Sequence, residues 1–244
     1  MRFSGSEVLR RCRVIPTVAA MAGALVFGAA CSDDGGGGGG GGGGNQTTFL
    51  GVISSDDGLQ SGEITISVAT SSPGVEGPTT VMAFANVNAT GTHKLTGTAE
   101  ALTGTYDDVT KILALTGGGY TLGGGYDPSS GRLEGFFTGP GNGGVFVTTE
   151  SGSGDTAYCG TFTGSDDGTF SFVVSGTDLL GTAYSTSGGT PIPLDGTVSG
   201  SSITISNPLG GSPLATGTIS GTSASGTWND GQGNSGTWTG SVCQ

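Results

Sequence analysis

The stretch Glu63-Ile64-Thr65-Ile66-Ser67-Val68 decides the fold class, because apolar and hydroxyl-bearing side chains alternate along it without a break. Successive side chains of a β-strand point to opposite faces, so this pattern buries one face and hydrates the other. Similar segments occur at 169–174 and 202–206, and no stretch of residues 47–244 has helical spacing. The sequence therefore predicts an all-β protein.

Turn signals separate the predicted strands about every eight to twelve residues, a spacing typical of a sandwich or a barrel. They include Asp57-Gly58, Asp167-Gly168, Asp230-Gly231, the segment 127–131 and Asn207-Pro208. Asp-Gly supplies the positive φ angles that tight hairpins require. Short turns between neighbouring strands favour an antiparallel meander over a Greek key, which needs a long connection.

Residues 47–244 also contain an internal repeat. Residues 49–58 are echoed by 158–168, residues 120–139 by 215–228, and the segment Val145-Phe146-Val147 by Thr237-Trp238-Thr239. The repeat predicts two duplicated units, 47–150 and 156–244, joined by a short linker at 151–155. Each unit has room for about seven or eight strands of ordinary length.

The first 30 residues have the layout of a secretory signal peptide. Four arginines precede an apolar stretch from Val14 to Ala30, which is shorter than the ~20 residues of a membrane-spanning helix. The end of that stretch, Gly28-Ala29-Ala30-Cys31, resembles the lipobox of bacterial lipoproteins. The resemblance implies that Cys31 is diacylated and becomes an acylated N-terminus anchored in the lipid bilayer. The alternative is ordinary cleavage after Ala30, with no lipid.

Residues 31–46 form a predicted tether, with unbroken glycine from Gly35 to Gly44. Glycine loses more conformational entropy on ordering than any other residue, so this run is expected to be a flexible coil that reaches roughly 20–24 Å. The whole arrangement resembles glycine-tethered all-β lipoproteins of Gram-negative bacteria. Within that family, Ser32 directly after the cysteine implies the outer membrane.

Two cysteines remain once Cys12 leaves with the signal and Cys31 carries lipid. Because disulfides persist in exported proteins, we expect Cys159 and Cys243 to be bonded, although two separate buried thiols are the alternative. The bond would require Cα atoms within about 7 Å, so the first and last strands of the second unit would be neighbours. A meander that meets itself in this way is a closed barrel or a clam-like sheet. The first unit has Leu50 in the place of Cys159.

After the signal peptide the chain keeps three basic residues, Lys94, Lys111 and Arg132, against 18 acidic ones, a net charge of −15. A chain of this charge repels nucleic acid and anionic lipid headgroups, since it has no basic patch to neutralise phosphates. We therefore expect no nucleic-acid partner.

Residues for catalysis are scarce. The one histidine, His93, stands beside Lys94 and is expected to face solvent. The sequence has no Gly-x-Ser-x-Gly motif and too few ligands for a zinc site, so we expect no enzymatic activity. Acidic turn residues are candidate ligands for weak calcium binding, of millimolar affinity; the alternative is that they hydrogen-bond their own turns. They are Asp56, Asp57, Asp166, Asp167 and Asp230.

Trp228 and Trp238 stand on either side of the last predicted hairpin. Exposed aromatic residues on a sheet would stack on sugar rings or fill a ligand pocket, whereas buried ones would form the barrel core. If the residue numbers paired in the hairpin sum to an even number, both tryptophans lie on one face and cover glycines such as Gly226 and Gly236.

These observations favour a lipid-anchored envelope protein that acts as a non-catalytic binding or interaction module for a small molecule, a glycan or a protein. One alternative is a glycan-active enzyme that uses paired carboxylates about 5–10 Å apart. Another is a structural or adhesive surface protein.

Overall fold

The computed structural model describes residues 46–69, 86–95, 97–207 and 210–243. The predicted signal peptide, Cys31 and the glycine run lie outside the described residues. The regular secondary structure of the described segments consists of sixteen β-strands. These segments contain no helix of the length and apolar character needed to cross a bilayer.

The first eight strands form a closed antiparallel barrel in which each strand pairs with the next and the last pairs with the first. The strands are Gln46–Ser55 (β1), Ser61–Ala69 (β2), Asn86–His93 (β3), Glu100–Asp107 (β4), Ile112–Gly117 (β5), Tyr120–Asp127 (β6), Arg132–Gly139 (β7) and Asn142–Glu150 (β8).

The second eight strands form another closed barrel with the same up-and-down order. They are Thr156–Gly164 (β9), Gly168–Ser175 (β10), Asp178–Ser185 (β11), Pro191–Ser199 (β12), Ser202–Ile205 (β13), Ala215–Ser220 (β14), Ser223–Asn229 (β15) and Ser235–Val242 (β16). The prediction of an all-β meander with two small closed units is confirmed. Closure leaves neither sheet with an unpaired edge strand.

The two barrels share one packing motif, which supports the duplication. In the first barrel Phe146 on β8 covers the paired glycines Gly124 and Gly135, where an added Cβ would come within 3 Å of the phenyl ring. Trp238 on β16 covers the paired glycines Gly217 and Gly226 in the same way. In each barrel, glycines on two neighbouring strands thus leave space for one large aromatic ring from another strand, and this ring fills the interior of the barrel.

The predicted disulfide is present. Cys159 on β9 and Cys243, directly after β16, are bonded with their Cα atoms 5.0 Å apart. The two strands are hydrogen-bonded neighbours in which Ser241 is opposite Cys159. The bond therefore ties the first and last strands of the second barrel across the seam where the sheet closes.

One turn prediction is wrong. Gly58 and Gly231 have the positive φ angles expected of Asp-Gly turns, 67° and 75°. Gly168 instead begins strand β10, and the positive φ of that hairpin, 140°, belongs to Gly164. The register explains the difference, because Phe162 is opposite Gly168, which centres the turn on Ser165.

The barrels pack against each other through a buried apolar cluster, here called the joint cluster. Its members come from the outer walls of both barrels: Val52 and Val147 of the first, and Ala157, Val173, Leu180 and Cys243 of the second. Ser54 and Ser171 share a buried hydrogen bond of 2.8 Å across the same joint. Thr169 Oγ1 donates to the Gly58 carbonyl oxygen at 2.8 Å, and Arg132 pairs with Asp195 at 2.5 Å.

The outer wall of the first barrel carries a row of hydroxyl side chains that are directly opposite one another on seven consecutive strands. We call this row the hydroxyl ladder; it comprises Thr48, Ser67, Thr90, Thr103, Thr116, Thr121 and Thr138. Cross-strand threonine pairs stabilise a sheet by about 0.2–1 kcal/mol each relative to alanine pairs. The ladder therefore has a structural role whatever else it does.

Candidate functional site

One end of the first barrel opens into a concave site, here called the cup, with a volume of about 170 Å³. Its apolar wall consists of side chains from the ends of five strands: Phe49, Val68, Val87, Tyr106 and Tyr126. Its polar rim includes Thr47, Asp108, Lys111 and Glu150. Strands β2, β4, β6 and β8 end at this opening, and β1 and β3 begin there, so residues distant in sequence converge.

The aromatic side chains of the cup are fixed by one another and by the rim. Phe49 and Tyr126 make an edge-to-face contact with ring centroids 5.4 Å apart. The Tyr126 hydroxyl donates a hydrogen bond to the Glu150 carboxylate. That hydrogen bond, together with partial burial, raises the pKa of Tyr126 to about 12. The phenol therefore stays a donor at any physiological pH and holds the Glu150 carboxylate at the rim.

Tyr106 lies deeper in the same cup, with 7% of its surface exposed. Burial raises the pKa of Tyr106 to about 12, and the nearby charges of Asp108 and Asp107 add to the effect. A neutral phenol at this depth contributes an uncharged aromatic ring to the wall of the cup.

The turn that follows Tyr106 positions Lys111, the one cation of the rim among the described residues. Asp107 accepts hydrogen bonds from the N–H groups of Val109 and Thr110, at 2.8 and 3.1 Å. These bonds, with the one from Thr110 largest, hold the pKa of Asp107 below its usual value. Lys111 closes the turn and donates from Nζ to Asp108 at 2.7 Å.

The backbone of Lys111 is in the left-handed region, with φ of 62°, and it is the sole non-glycine residue with positive φ in the described part of the chain. The β6–β7 turn, which starts at Asp127, has the same form, and its equivalent position is Gly131, with φ of 68°. A lysine costs about 1–2 kcal/mol more than glycine in this conformation. The strained conformation places the Lys111 amino group at the rim.

The size and charge of the cup define what it can hold. A dry cavity of about 150 Å³ in another protein accommodates benzene, so the cup has room for one ring-sized group. Lys111 is neutralised by Asp108, whereas no cation pairs with Glu150 within the described residues. The rim is therefore net negative above a wall of three aromatic rings, an arrangement that attracts cations.

The prediction for His93 is wrong. The side chain has no exposed surface, because β3 points Thr90 and Thr92 outward and His93 inward. Its ring packs edge-to-face on Tyr120, with centroids 4.5 Å apart, and its Nδ1 accepts from the Leu95 N–H at 3.4 Å. Nε2 has no hydrogen-bond partner within the described residues. Burial lowers the pKa of His93, and the charge of Glu100 opposes this only in part.

The five candidate calcium ligands lie in three separate turns. In each turn one carboxylate, that of Asp57, Asp166 or Asp230, accepts hydrogen bonds from nearby protein groups. Asp57 accepts from Ser55 Oγ at 2.5 Å and from the Leu59 N–H at 3.0 Å, and both bonds lower its pKa. Asp166 accepts from Ser185 Oγ at 2.5 Å and Ser187 Oγ at 2.9 Å.

The third turn is closed by Asp230, which accepts from the N–H groups of Gln232 and Asn234 and from the Asn234 amide. Burial would raise the pKa of Asp230, but these hydrogen bonds outweigh it and hold the value below its usual range. The remaining two candidates form hydrogen bonds through their backbone. The Asp56 N–H donates to the Gly143 carbonyl oxygen, and the Asp167 carbonyl oxygen accepts from the Thr186 N–H. Across the described ranges, His, Cys, Asp and Glu side chains form no group of three or more suited to a metal ion.

The two tryptophans lie in different surroundings on the same face. Gly226 is opposite Trp238 and Gly236 is opposite Trp228, so the paired numbers have an even sum. Trp238 is 4% exposed and belongs to the core, with Nε1 donating to the Thr216 carbonyl at 3.2 Å. Trp228 is partly exposed at one end of the second barrel, where its ring lies 5.9 Å from that of Phe162.

Comparison with known proteins gives no relative: neither a family model, nor a curated protein, nor a solved structure matches the chain.

The cup was not predicted from the sequence, although the sequence contains a signal for it. Tyr106-Asp107 and Tyr126-Asp127 are two copies of one dipeptide, and each ends a strand before a four-residue connection, 108–111 or 128–131. Two strands of the same direction that end alike bring their aromatic residues to the same opening of a barrel.

Proposed function

We propose that the protein is a lipid-anchored, non-catalytic binding protein of the bacterial cell envelope whose first barrel holds a small amphipathic organic ligand in the cup. The observation that carries the proposal is the convergence of Phe49, Tyr106 and Tyr126 on a concave site with a net negative rim. Small closed barrels use their openings in this way to bind one small ligand.

The anchoring part of the proposal rests on the sequence. The resemblance of Gly28-Ala29-Ala30-Cys31 to a lipobox, followed by a glycine run, favours acylation of Cys31 and attachment to the outer membrane. The mass of the intact protein purified from membranes tests it. We expect loss of residues 1–30 together with added acyl chains; a soluble mature form with an unmodified Cys31 would refute the anchor.

The charge of the rim predicts which ligands are preferred. Benzylamine, benzyl alcohol and benzoate share one ring and differ in charge. Because Glu150 has no cationic partner in the described residues, we expect benzylamine to bind best and benzoate worst in titration calorimetry, with weak affinities that suit such small ligands. Binding of benzoate in preference to benzylamine would contradict the assignment.

Two substitutions should move this preference in opposite directions. Glu150→Gln removes the unpaired charge and should weaken benzylamine binding about fivefold, the effect of about 1 kcal/mol expected for an exposed ion pair. Lys111→Gly removes the cation, suits the local φ of 62° and should strengthen benzylamine binding by a similar factor. Equal effects of both substitutions on all three ligands would exclude the cup as the site.

Arg132→Gln is the matched control. It also removes a single charge from the first barrel, but at the ion pair with Asp195 rather than at the cup. We expect it to leave the ranking of the three ligands unchanged.

A further inference from the structure

A second feature of the first barrel lies on its outer wall, away from the cup interior. Phe136 on β7 is 61% exposed and Ile112 on β5 is 48% exposed. They stand on either side of β6, where Gly123 is opposite Phe136 and Gly125 is opposite Ile112. The result is a glycine-floored strip of wall between the apolar side chains of Ile112 and Phe136, and the exposed Glu134 borders it on β7, opposite Gly125.

The two glycines on this strip are not required by packing. At most other strand glycines an added Cβ would come within 3 Å of backbone or ring atoms, which explains the absence of a side chain there. At Gly123 nothing lies within 4 Å, and at Gly125 the nearest atom is the Lys111 carbonyl oxygen at 3.9 Å. Glycine weakens a strand, and in a strand interior it often marks a bulge, a bend of a barrel, or the close approach of a ligand or another backbone. The pairing of β6 with both neighbouring strands is regular at these positions, so neither glycine forms a bulge.

The hydroxyl ladder runs beside this strip. Thr116, Thr121 and Thr138 form the next cross-strand row after Phe136 and Gly123. At its other end the ladder borders a shallow concavity of about 300 Å³, in which Thr65, Ser67, Thr90, Thr92 and Thr103 are found. The wall therefore offers an aromatic face and a continuous line of neutral donors and acceptors.

We propose that this wall binds a neutral glycan, with a sugar ring stacked on Phe136 above Gly123 and the chain running across the strands along the hydroxyl ladder. A pyranose presents C–H groups to an aromatic face and hydroxyls at its edge, which is the combination that the wall complements. The ladder has no charged member, and the net charge of −12 for the full chain disfavours an anionic polymer.

A second copy of the protein is the less suitable occupant. The strip from β5 to β7 measures about 10 Å across the strands and, from Gly123 to Gly125, about 7 Å along them. A stable protein interface buries about 800 Å² on each partner, several times this area. The closed sheet also leaves no edge to which a neighbouring strand could add.

The second barrel supplies an internal comparison. It also carries a row of hydroxyl side chains on consecutive strands, through Thr204, Thr216, Thr227 and Thr237. None of its described residues is an exposed large hydrophobic side chain. If the ladder alone bound glycans, both barrels would bind; if Phe136 is needed, only the first would.

Affinity electrophoresis of the exported region tests the proposal, in gels that contain hydroxyethylcellulose, glucomannan or, as the anionic control, polygalacturonate. We expect retardation by at least one neutral polymer and none by polygalacturonate. Phe136→Thr and Gly123→Thr should each weaken binding about tenfold. The first removes the aromatic ring, and the second places a side chain in the space above position 123 that the sugar ring would occupy. Neither change disturbs packing, since one side chain is exposed and the other position is open.

Thr227→Val in the second barrel and Glu150→Gln in the cup are the controls, and both should retain the retardation. Absence of retardation in both neutral gels, or full retardation of Phe136→Thr, would overturn the proposal. Concentration-dependent dimerisation abolished by Phe136→Thr would assign the wall to a second copy instead. None of these outcomes depends on whether the cup binds a ligand.

Discussion

Leu50 and Cys159 occupy equivalent positions in the first strands of the two barrels, and both side chains pack against the joint cluster. Each follows a buried aromatic residue, Phe49 or Tyr158, that points into its own barrel. Cys159 continues into a disulfide with Cys243, itself a buried member of that cluster. One disulfide thus cross-links the first and last strands of the second barrel and also forms part of its contact with the first barrel.

Removal of this bond is expected to destabilise the protein strongly. The loop it closes spans 84 residues, for which the chain-entropy treatment gives up to about 4.5 kcal/mol. We expect Cys159→Ala/Cys243→Ala to lower the midpoint of urea unfolding followed by tryptophan emission, which reports on the second barrel because both tryptophans lie there. Leu50→Ala, which removes packing but no cross-link, should cost about 1–2 kcal/mol. An unchanged midpoint in the double variant would contradict the prediction.

The glycines under Trp238 should not tolerate a methyl group. An added Cβ at Gly217 would lie 2.2 Å from the Trp238 ring and 2.3 Å from the Ser225 carbonyl oxygen. We expect Gly217→Ala to cost about 1–3 kcal/mol, the usual penalty for overpacking, measured by thermal unfolding. Gly123→Ala, where the space is open, should be neutral or stabilising by up to about 1 kcal/mol. Equal effects of the two substitutions would show that the ring does not pack as described.

The buried His93 should make the free energy of unfolding depend on pH below about 6.5, the ordinary pKa of a histidine. Its pKa is lowered by burial from the ordinary value of 6.5, so below that pH the unfolded chain binds a proton that the folded chain does not. Stability is therefore complete above pH 6.5 and falls as the pH decreases towards the folded pKa, by at most about 1.4 kcal/mol per pH unit.

Urea unfolding at several pH values between about 5.5 and 7 measures this slope, above the ordinary carboxylate pKa values of about 3.9–4.3. Because burial raises the pKa of Glu134, the difference between the wild-type protein and a variant without the imidazole isolates the contribution of His93. His93→Phe keeps an aromatic ring against Tyr120 and cannot titrate, so its profile should be flatter across this range. A slope that persists in the variant would assign the effect to another group.

Calcium is expected to have little effect on stability. The oxygens of Asp57, Asp166 and Asp230 already accept hydrogen bonds from their own turns or a neighbouring one, and a bound cation would have to replace these donors. At about 1 mM calcium, a concentration suited to weak extracellular sites, we expect no change in Tm. A rise in Tm that Asp230→Asn abolishes would establish a site in the last hairpin turn.

Several features of the fold could be predicted because they depend on local pattern. The alternation in Ile64, Ile66 and Val68 defines the inner face of β2, and the spacing of turn residues defines the meander. The closure of the second barrel could be predicted from its two cysteines, since a disulfide between the first and last strands of a meander is possible only if those strands lie side by side. The alternation alone does not determine the register of the last hairpin; the structure has the even register, which places both tryptophans on one face over glycines.

His93 shows where the local pattern was misapplied. Its neighbour Lys94 suggested solvent, but the alternation of Thr90 and Thr92 already assigned position 93 to the inner face. The repeated Tyr-Asp dipeptide indicates only that two tyrosines share one opening, whereas the convergence of Thr47, Val87 and Glu150 on them depends on the register of eight strands. No single segment of sequence contains that information.

In each barrel the chain begins and ends on adjacent, hydrogen-bonded strands. The strand order of such a barrel is therefore circular, so that any turn could serve as the position of the chain ends without a change in strand pairing. Each barrel is therefore suited to circular permutation: joining its ends by a short connection and opening it at another turn preserves every strand pair. In the second barrel the bond between Cys159 and Cys243 already fastens those two ends together, so that a single backbone cleavage within the barrel would leave its pieces covalently joined.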